Sequence, residues 1–189
     1  MKKNTIICLA FIIGLITNAQ AQEQTLFDNL QIQGGFGGPI IETALEGSLS
    51  NAIGGGGGVL FDRFFLGGYG MGNTQDSRYD LDEGVERLEL GHGGLWMGFY
   101  TPSYKLLHFY SSLRLGWGSI EQDEGGTIDD SVLVLTPEVG LEVNITSWFR
   151  LAPTIGYRYV TGTESDAFYE GSDFSGVFIG TTLRFGASF

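Results

Sequence analysis

Hydrophobic and polar positions alternate with a period of two through most of the second half of the chain. In residues 177–189 the odd-numbered positions are Val, Ile, Thr, Leu, Phe, Ala and Phe, whereas the even-numbered positions after Phe178 are glycine or polar. Residues 109–118, 132–145 and 149–160 alternate in the same way. Because successive side chains of a β-strand point to opposite faces, this pattern predicts four strands.

Four further strands are predicted in the first half of the chain, at residues 30–43, 51–61, 64–73 and 86–101. Glycine obscures their faces, since residues 54–58 are an unbroken glycine run and further glycines recur through the next two segments. The interior of an eight-stranded barrel barely holds its side chains. We therefore expect these glycines to make room for aromatic neighbours such as Tyr69, Trp96 and Tyr100.

The two faces of the four clearest strands differ in chemistry. The apolar faces carry no charged residue, and the opposite faces carry Gly, Ser, Thr and charges of both signs. A soluble sandwich would instead scatter Lys and Glu outside and pack large aliphatic residues inside. An Arg or Lys that faces lipid at mid-depth costs roughly 2–4 kcal/mol, so a charge-free face suits the membrane. The sequence predicts an all-β fold, a transmembrane antiparallel up-and-down β-barrel of eight strands.

Short and long connections alternate between these strands. Residues 62–63, 102–105 and 146–147 are short connections, residues 44–50 are intermediate, and residues 73–85, 121–130 and 162–172 are long and acidic. Outer-membrane barrels have tight periplasmic turns and longer extracellular loops, which predicts that both termini are periplasmic. Pro137 and Pro153 fall within strands, where a closed barrel offers no free edge, so we expect bulges or exposed ends there.

The composition excludes several classes of protein. The chain has 10 Lys and Arg against 22 Asp and Glu, a formal charge of -12, which argues against a nucleic-acid-binding protein because such a protein needs a basic face. At 42% hydrophobic residues the chain is too apolar for intrinsic disorder. A single cysteine excludes a disulfide framework and a cysteine-based metal cluster.

Most of the acidic residues lie in or beside the three long connections. They are Asp76, Asp80, Asp82, Glu83, Glu86, Glu121, Asp123, Glu124, Asp129, Asp130, Glu164, Asp166, Glu170 and Asp173. We interpret them as acidic extracellular loops that form a solvated, repulsive surface. Bridging by Ca²⁺, which takes several carboxylate oxygens, and contact with a basic partner are the alternatives. Residues 80–84 lack the ligand spacing of an EF-hand, and we assign no metal site and no cofactor.

Residues 1–21 have the pattern of a signal peptide. Lys2 and Lys3 form a short basic region, residues 6–16 form an apolar core, and residues 19–21 read Ala-Gln-Ala, a small-x-small cleavage pattern. We therefore predict cleavage after Ala21 and a single barrel domain at residues 22–189. The apolar core is too short for a membrane-spanning helix.

Charged residues on the inner faces are the first candidate site. Arg114, Glu138, Glu142, Arg158 and Arg184 share the inner face of consecutive strands, where opposite charges can approach. An enclosed charge without a partner costs several kcal/mol, so we expect a structural salt-bridge cluster that closes the lumen. A conducting pore is the alternative.

The two histidines are candidates for a lipid-modifying enzyme, because Ser111 and Ser112 lie close to His108 in the sequence. A catalytic triad needs a nucleophile, a base and an orienting group that converge. The sequence offers no such set, and His92 lies among glycines in mid-strand. We assign no catalytic residue and expect both histidines to be interfacial or to pack in the lumen.

The chain resembles the small eight-stranded outer-membrane barrels, the class of OmpX and of the transmembrane domain of OmpA. Its last segment, with Leu183, Phe185, Ala187 and Phe189 at alternate positions, is similar to the C-terminal signal read by the barrel assembly machinery. Glycine-rich strands and stretches such as residues 136–140 and 156–162 look like barrel families of the Bacteroidetes type. The resemblance covers essentially all of residues 22–189.

These observations together predict a non-enzymatic protein of the outer membrane of a Gram-negative bacterium. Its expected role is structural, in surface interaction, or as a subunit of a larger outer-membrane complex, with a salt-bridged, closed lumen. The expected partners are outer-membrane lipid, the assembly machinery during insertion and other proteins of such a complex, and no nucleic acid. A narrow, porin-like channel for small solutes is the alternative, and a lipid-modifying enzyme is a more distant one.

Overall fold

The computed structural model describes residues 31–45, 51–73, 77–81, 84–101, 105–122, 129–162 and 171–187. The predicted signal peptide and Phe189 lie outside the described residues, so their assignment stays a prediction.

The described residues form one antiparallel sheet. Its strands are β1 (Ile32–Ala44), β2 (Ala52–Phe61), β3 (Phe64–Asn73), β4 (Ser77–Leu81), β5 (Gly84–Tyr100), β6 (Leu107–Gln122), β7 (Asp129–Asn144), β8 (Phe149–Thr161) and β9 (Gly176–Ala187). Neighbours follow the order β3-β2-β1-β9-β8-β7-β6-β5-β4, and an additional β3–β5 pairing closes the sheet. Eight strands therefore form a closed up-and-down barrel, with β4 attached to β5. The predicted fold class is confirmed.

One predicted connection is wrong, because it contains strand β4. Residues 73–85 were expected to form a long loop, but β4 pairs with the beginning of β5, from Ser77 opposite Leu88 to Leu81 opposite Gly84. Strand β5 accordingly begins at Gly84, before the predicted start of that strand at residue 86. The polar composition of residues 77–81 hid this strand, because strand formation depends more on the neighbouring strand than on intrinsic preference.

Proline does not produce the bulges expected within the strands. The register of β7 on β6 runs through Leu113 opposite Pro137, and that of β8 on β9 runs through Pro153 opposite Thr181. On the other side of each proline the ladder omits two residue pairs and then resumes in the same register. Because proline lacks one N–H donor, it interrupts hydrogen bonding to one neighbour only, and the closed barrel retains its alternation.

Glycine allows aromatic residues to fill the interior, as the sequence predicts. A Cβ atom added at Gly56 of β2 would lie 3.0 Å from Cε3 of Trp96, and one added at Gly116 of β6 would meet the Tyr69 hydroxyl. Trp96 is 0% exposed and is the largest fully buried side chain of the described residues. The glycine-rich strands therefore form the narrow wall against which Trp96 and Tyr69 pack.

The connections described are short at one end of the barrel. Strands β2 and β3 are joined by Asp62 and Arg63 alone, and Asp62 adopts a φ of 33°, a left-handed conformation that aspartate tolerates. Strands β7 and β8 are joined by residues 145–148. The predicted short turns at 62–63 and 146–147 are therefore found, and both lie at the same end of the barrel.

At the other end of the barrel, the described part of the connection between β8 and β9 packs against the lumen. A 3₁₀ helix at Gly171–Phe174 follows residues expected to be a polar loop. The hydroxyl of Ser175 accepts a hydrogen bond from the Val160 N–H at 2.9 Å and donates one to the Gly171 carbonyl at 2.7 Å. These bonds hold the segment against β8, and Phe174 is fully buried among apolar residues. Those residues are Leu90, Ile120, Val132, Val134 and Val160.

Inner and outer positions alternate along the strands. Large apolar side chains on the outer face, such as Ile155 and Ile179, are about half exposed. Within the part of the chain that the structure describes, no helix is long and apolar enough to cross a membrane.

Candidate functional site

The central cluster of the lumen consists of Glu42, Arg114, Glu138 and Arg158. Glu42 lies on the inner face of β1, and its two carboxylate oxygens accept hydrogen bonds from Nη2 of Arg114 and from Nη2 of Arg158. All three side chains are 1% exposed. A single carboxylate from β1 therefore joins two arginines from β6 and β8 across the barrel.

Glu138 is held mainly by hydroxyl groups. The Ser112 hydroxyl donates to Oε1 at 2.5 Å and the Thr154 hydroxyl donates to Oε2 at 3.0 Å, whereas Nη2 of Arg114 lies 3.5 Å from Oε2. The indole N–H of Trp96 donates to the Ser112 hydroxyl at 3.0 Å. This chain of hydrogen bonds links β5, β6, β7 and β8 and satisfies a carboxylate that is 4% exposed.

The turn-side cluster lies near the short connections and consists of His108, Glu142, Arg150 and Arg184. One oxygen of Glu142 contacts Nε2 of His108 and accepts a hydrogen bond from Nη1 of Arg150, each at 2.8 Å. The other oxygen accepts a hydrogen bond from Nη1 of Arg184. All four residues are buried, and Glu142 is the only carboxylate among them.

Aromatic rings surround the guanidinium of Arg184. Its central carbon lies 3.8 Å from the ring centroid of Phe36 and 4.9 Å from that of Phe65. Phe36, Phe65 and Trp96 also pack edge to face on one another, with centroids 5.1–5.3 Å apart. A desolvated cation over an aromatic face is stabilised by the ring quadrupole. The rings therefore replace part of the stabilisation that hydration would give the guanidinium in water.

All five charged residues singled out from the sequence lie inside the barrel, but in two groups. Arg114, Glu138 and Arg158 belong to the central cluster, whereas Glu142 and Arg184 belong to the turn-side cluster. The structure therefore divides the five residues between two clusters, one centred on Glu42 and one on Glu142.

Three members of the clusters were missing from the predicted site. Glu42 escaped notice because residues 34–38 are four glycines around Phe36, so no alternation of polar and apolar side chains assigns the two faces of β1 there. The signal was present in the next residues, since an outward Ile41 places Glu42 inside. Arg150 lies on the inner face that the alternation in residues 149–160 predicts, and His108 was expected to be interfacial or to pack in the lumen, but neither was assigned to the charge cluster.

The two histidines occupy separate positions. Nδ1 of His92 lies 3.1 Å from the Tyr69 hydroxyl, and Nε2 of His108 contacts Glu142. The Ser112 hydroxyl bonds Trp96 and Glu138 and bonds neither histidine. Among the described residues the Ser–His arrangement of a triad is therefore not assembled, and both histidines pack in the lumen.

The C-terminal assembly signal is described for two of its three assigned residues. Leu183 is half-buried, and Phe185 points outward and stacks on Phe149, with ring centroids 4.9 Å apart and planes 14° apart. The ring centroid of Trp148 lies 6.1 Å from that of Phe149 and 6.1 Å from that of Phe185. These three rings form an exposed aromatic group at the short-connection end.

The acidic connections contribute little to the described part of the chain. Asp173 lies in the 3₁₀ helix, and most of the other acidic positions lie outside the residues whose side chains are described. Within the described ranges no group of three or more His, Cys, Asp and Glu side chains is placed to hold a metal ion. Calcium bridging and a basic partner both stay open predictions.

Similar folds occur among solved structures of outer-membrane proteins. The N-terminal β-barrel domain of Pseudomonas aeruginosa OprF aligns over 82% of this chain and 98% of its own, with a TM-score of 0.55 and 16% identity. Neisserial surface protein A aligns over 82% of this chain and 95% of its own, with a TM-score of 0.52 and 13% identity. No protein-family model and no curated protein sequence matches the chain. The chain therefore has the closed eight-stranded fold of the small outer-membrane barrels, as its resemblance to that class predicts.

Proposed function

We propose that the protein is an integral outer-membrane barrel with a sealed lumen, and that it acts in envelope structure, in surface interaction or as a subunit of an outer-membrane complex. The observation that carries this proposal is the filling of the lumen. The central and turn-side clusters fill the middle and the short-connection end of the lumen, and the apolar cluster around Phe174 fills the other end. Every charged member of the first two clusters is at most 4% exposed.

Sealing follows from the contacts of these residues. A solute path needs mobile charges and water, but Glu42 and Glu142 each bind arginines from other strands, and Trp96, Tyr110 and Arg184 are completely buried. Phe174 covers the long-connection end. Separating a buried carboxylate from its arginine costs several kcal/mol, so spontaneous opening is rare.

The outer face supports a location in lipid. Its large exposed side chains are mostly apolar or aromatic, among them Trp117, Leu135, Val139, Ile155 and Ile179. A face of this chemistry is stable against acyl chains and would aggregate in water. Together with the predicted signal peptide and assembly signal, it supports the outer membrane of a Gram-negative bacterium as the location and lipid as the permanent partner.

We propose that the protein contacts its binding partners through the long connections. They carry most of the acidic residues, and in an outer-membrane topology they face outside the cell. A basic partner or a divalent cation is the chemistry that such loops would attract.

Conductance in a planar bilayer tests the sealed lumen. The refolded protein should give no steady unitary conductance. A variant with Trp96→Ala and Phe174→Ala, which removes the largest interior side chain and the apolar residue that covers the long-connection end, should conduct if it folds. Folding of both proteins is checked first by anomalous migration of unheated samples on a denaturing gel. Steady unitary conductance of the unaltered protein would favour the narrow channel instead.

Two further measurements separate the remaining roles. Gentle detergent extraction of a tagged copy, followed by mass spectrometry, should recover stoichiometric partners if the barrel is a subunit, and a pure monomer would contradict that role. Deletion of the gene should leave the mass spectrum of lipid A unchanged. A shifted lipid A species that returns to normal on complementation would instead indicate a lipid-modifying enzyme.

A further inference from the structure

An open furrow of about 560 Å³ crosses the outer face of four neighbouring strands, β5, β6, β7 and β8, and begins at β3. One rim of the furrow is a row of outward residues that lie directly opposite one another on successive strands. The row consists of Phe64, Phe99, Ser111, Val139 and Ile155. Because serine is much smaller than the phenylalanine and the valine beside it, this rim is low at its centre.

Backbone atoms form the floor of the furrow. The floor is the next row across the same four strands, and the side chains of this row point into the lumen or are absent. Its residues are Gly98, Ser112, Glu138 and Gly156. The other rim consists of Met97, Leu113 and Pro137. With the exception of Ser111 the rim residues are apolar, so the furrow is continuous with the lipid-facing surface of the barrel.

The width of the furrow suits a single hydrocarbon chain. Its two rims are two residues apart along each strand, which is a distance of about 7 Å. A helix of another protein, about 10–12 Å across with its side chains, is too wide to enter. The volume of the furrow lies within the range of about 300–1,000 Å³ that is typical of small-molecule sites.

The furrow rises from the short-connection end of the barrel into the membrane. Phe64 is the first residue of β3, whereas Ser111 and Ile155 lie four and six residues from the short-connection ends of β6 and β8. Strands rise about 3.3 Å per residue and tilt by about 35–45° in outer-membrane barrels, so the furrow ends roughly 15 Å deeper than it begins. The hydrocarbon core of a bilayer is about 30 Å thick, and the furrow therefore spans the depth of one leaflet.

A cation lies at the shallow end of the furrow. Arg63 is exposed and directly precedes Phe64, and its carbonyl accepts a hydrogen bond from the Tyr100 N–H at 2.9 Å, which holds the turn beside the end of β5. The charged residues of the short connections are Asp62, Arg63 and Lys105, so these connections carry a net positive charge. Guanidinium groups bind phosphate oxygens with two parallel hydrogen bonds, and a phosphate is the complementary group at this position.

We propose that the furrow binds one glycerophospholipid of the leaflet at the short-connection end of the barrel. One acyl chain lies along the furrow from Phe64 to Ile155, and the phosphate of the head group pairs with Arg63. The site rests on the proposed location in the outer membrane, and it makes lipid a specific ligand of one part of the wall in addition to the general solvent of the outer face.

Native mass spectrometry tests the site. The protein is refolded in vesicles of phosphatidylethanolamine and phosphatidylglycerol, extracted in detergent and separated from free lipid, and it should retain one phospholipid per barrel. Folding is checked by the mobility of unheated samples on a denaturing gel. A folded barrel without lipid would overturn the site alone, whereas failure to insert in the vesicles would overturn the membrane location and the site with it.

Filling the furrow should displace the lipid. Ser111→Leu places a larger apolar side chain at the low centre of the rim, and should reduce the retained fraction at least about tenfold, because apolar sites discriminate by that factor for small changes of volume. The matched control is Thr181→Leu, the same kind of replacement on the outer face of β9 outside the furrow, which should retain the lipid. Equal retention by the two variants would show general adhesion of lipid to the wall and would overturn the proposal.

The head-group contact is tested at the two basic residues of the short connections. Arg63→Gln should lower the retained fraction several-fold, whereas Lys105→Gln removes a charge from another short connection and should not. Diacylglycerol, which has the same chains and no phosphate, should be retained equally by the unaltered protein and by Arg63→Gln. Equal loss of phospholipid from both charge variants would contradict the place of the phosphate. A protein dimer that is lost in Ser111→Leu would instead identify a second copy of the chain as the occupant and would overturn the proposal.

Discussion

Glu42 has more influence on the charge balance of the interior than its single negative charge suggests. It is the common partner of Arg114 and Arg158, and all three side chains are almost completely buried. Removal of one partner of a buried ion pair leaves an uncompensated charge, which costs about 3–5 kcal/mol. The cost is high here because the alternative carboxylate, Glu138, is 3.5 Å from Arg114 and is already bonded to two hydroxyls.

Glu42→Gln should therefore lower the free energy of unfolding by about 3–5 kcal/mol, since the shape is kept while the charge is lost. The matched control is Glu89→Gln on β5, because Glu89 is exposed and should change stability by no more than about 0.5 kcal/mol. Urea unfolding in lipid vesicles, followed by tryptophan fluorescence, measures both. Equal losses for the two variants would show that Glu42 does not hold the arginines.

Adjacent serines on β6 offer an internal comparison of the two faces. The Ser112 hydroxyl accepts from Trp96 and donates to Glu138, whereas Ser111 lies on the outer face. Ser112→Ala leaves a buried donor and a buried acceptor unpaired, and should destabilise the barrel by about 1–3 kcal/mol. Ser111→Ala should be neutral or slightly stabilising in the same unfolding measurement. A larger effect at Ser111 would mean that the assigned faces of β6 are exchanged.

Residues whose position follows from alternation were predictable, and residues next to glycine were not. Arg114 and Arg184 lie in strands with apolar residues on both sides, so their inward direction follows from the period alone. Glu42 follows a stretch in which Phe36 is the single side chain among four glycines, so no alternation of polar and apolar residues marks the faces. The partition into two clusters was not predictable either, since it depends on the relative heights of β1, β6 and β8, which the closure of the barrel sets.

At the scale of single strands, interior packing requires some glycines and does not require others, and the sequence does not distinguish the two kinds. On β5, a Cβ atom added at Gly98 would meet the Phe65 ring and would lie 2.6 Å from the Ser111 carbonyl oxygen, whereas one added at Gly91 would have nothing within 4 Å. Gly98 is therefore required by interior packing. Gly91 is exposed on the outer face, and the packing of the barrel does not require it.

Alanine at these two positions should act in opposite directions. Gly98→Ala should destabilise the barrel by about 1–3 kcal/mol, because overpacking forces the Phe65 ring to move. Gly91→Ala should stabilise it by about 0.5–1 kcal/mol, because alanine loses less conformational entropy in a strand. Thermal unfolding of the two variants in the same detergent gives the comparison. Destabilisation by Gly91→Ala would indicate a contact on the outer face that the isolated barrel does not contain.

The bounds of the strands were predicted to within a few residues, but two elements were missed, each for a different reason. Strand β3 has the predicted bounds because a short turn precedes it and polar residues follow it. Strand β4 was missed because its residues are polar, and the 3₁₀ helix at Gly171–Phe174 was missed because one buried phenylalanine in a polar segment gives no periodic signal. Both elements depend on contacts with a barrel that is already formed, which a local pattern does not contain.

For the whole molecule, the positions of the short and long connections indicate which end of the barrel faces outside the cell, and the proposed function depends on that orientation. Short connections such as residues 62–63 and 145–148 lie at one end, and the 3₁₀ helix between β8 and β9 lies at the other. If the protein follows the outer-membrane rule, the first end faces the periplasm and the second faces outside the cell. Interaction through the acidic connections requires this orientation, whereas a purely structural barrel would tolerate either.

Cysteine labelling in intact cells tests the orientation. Ser172 and Ser147 are exposed and lie at opposite ends of the barrel, and Cys8, the single cysteine of the sequence, lies in the predicted signal peptide. In a Cys8→Ser background, Ser172→Cys should react with a membrane-impermeant maleimide in intact cells. Ser147→Cys should react only after the outer membrane is permeabilised. The reverse pattern would place the acidic connections in the periplasm, and a surface-interaction role would then be wrong even though the sealed barrel would stand.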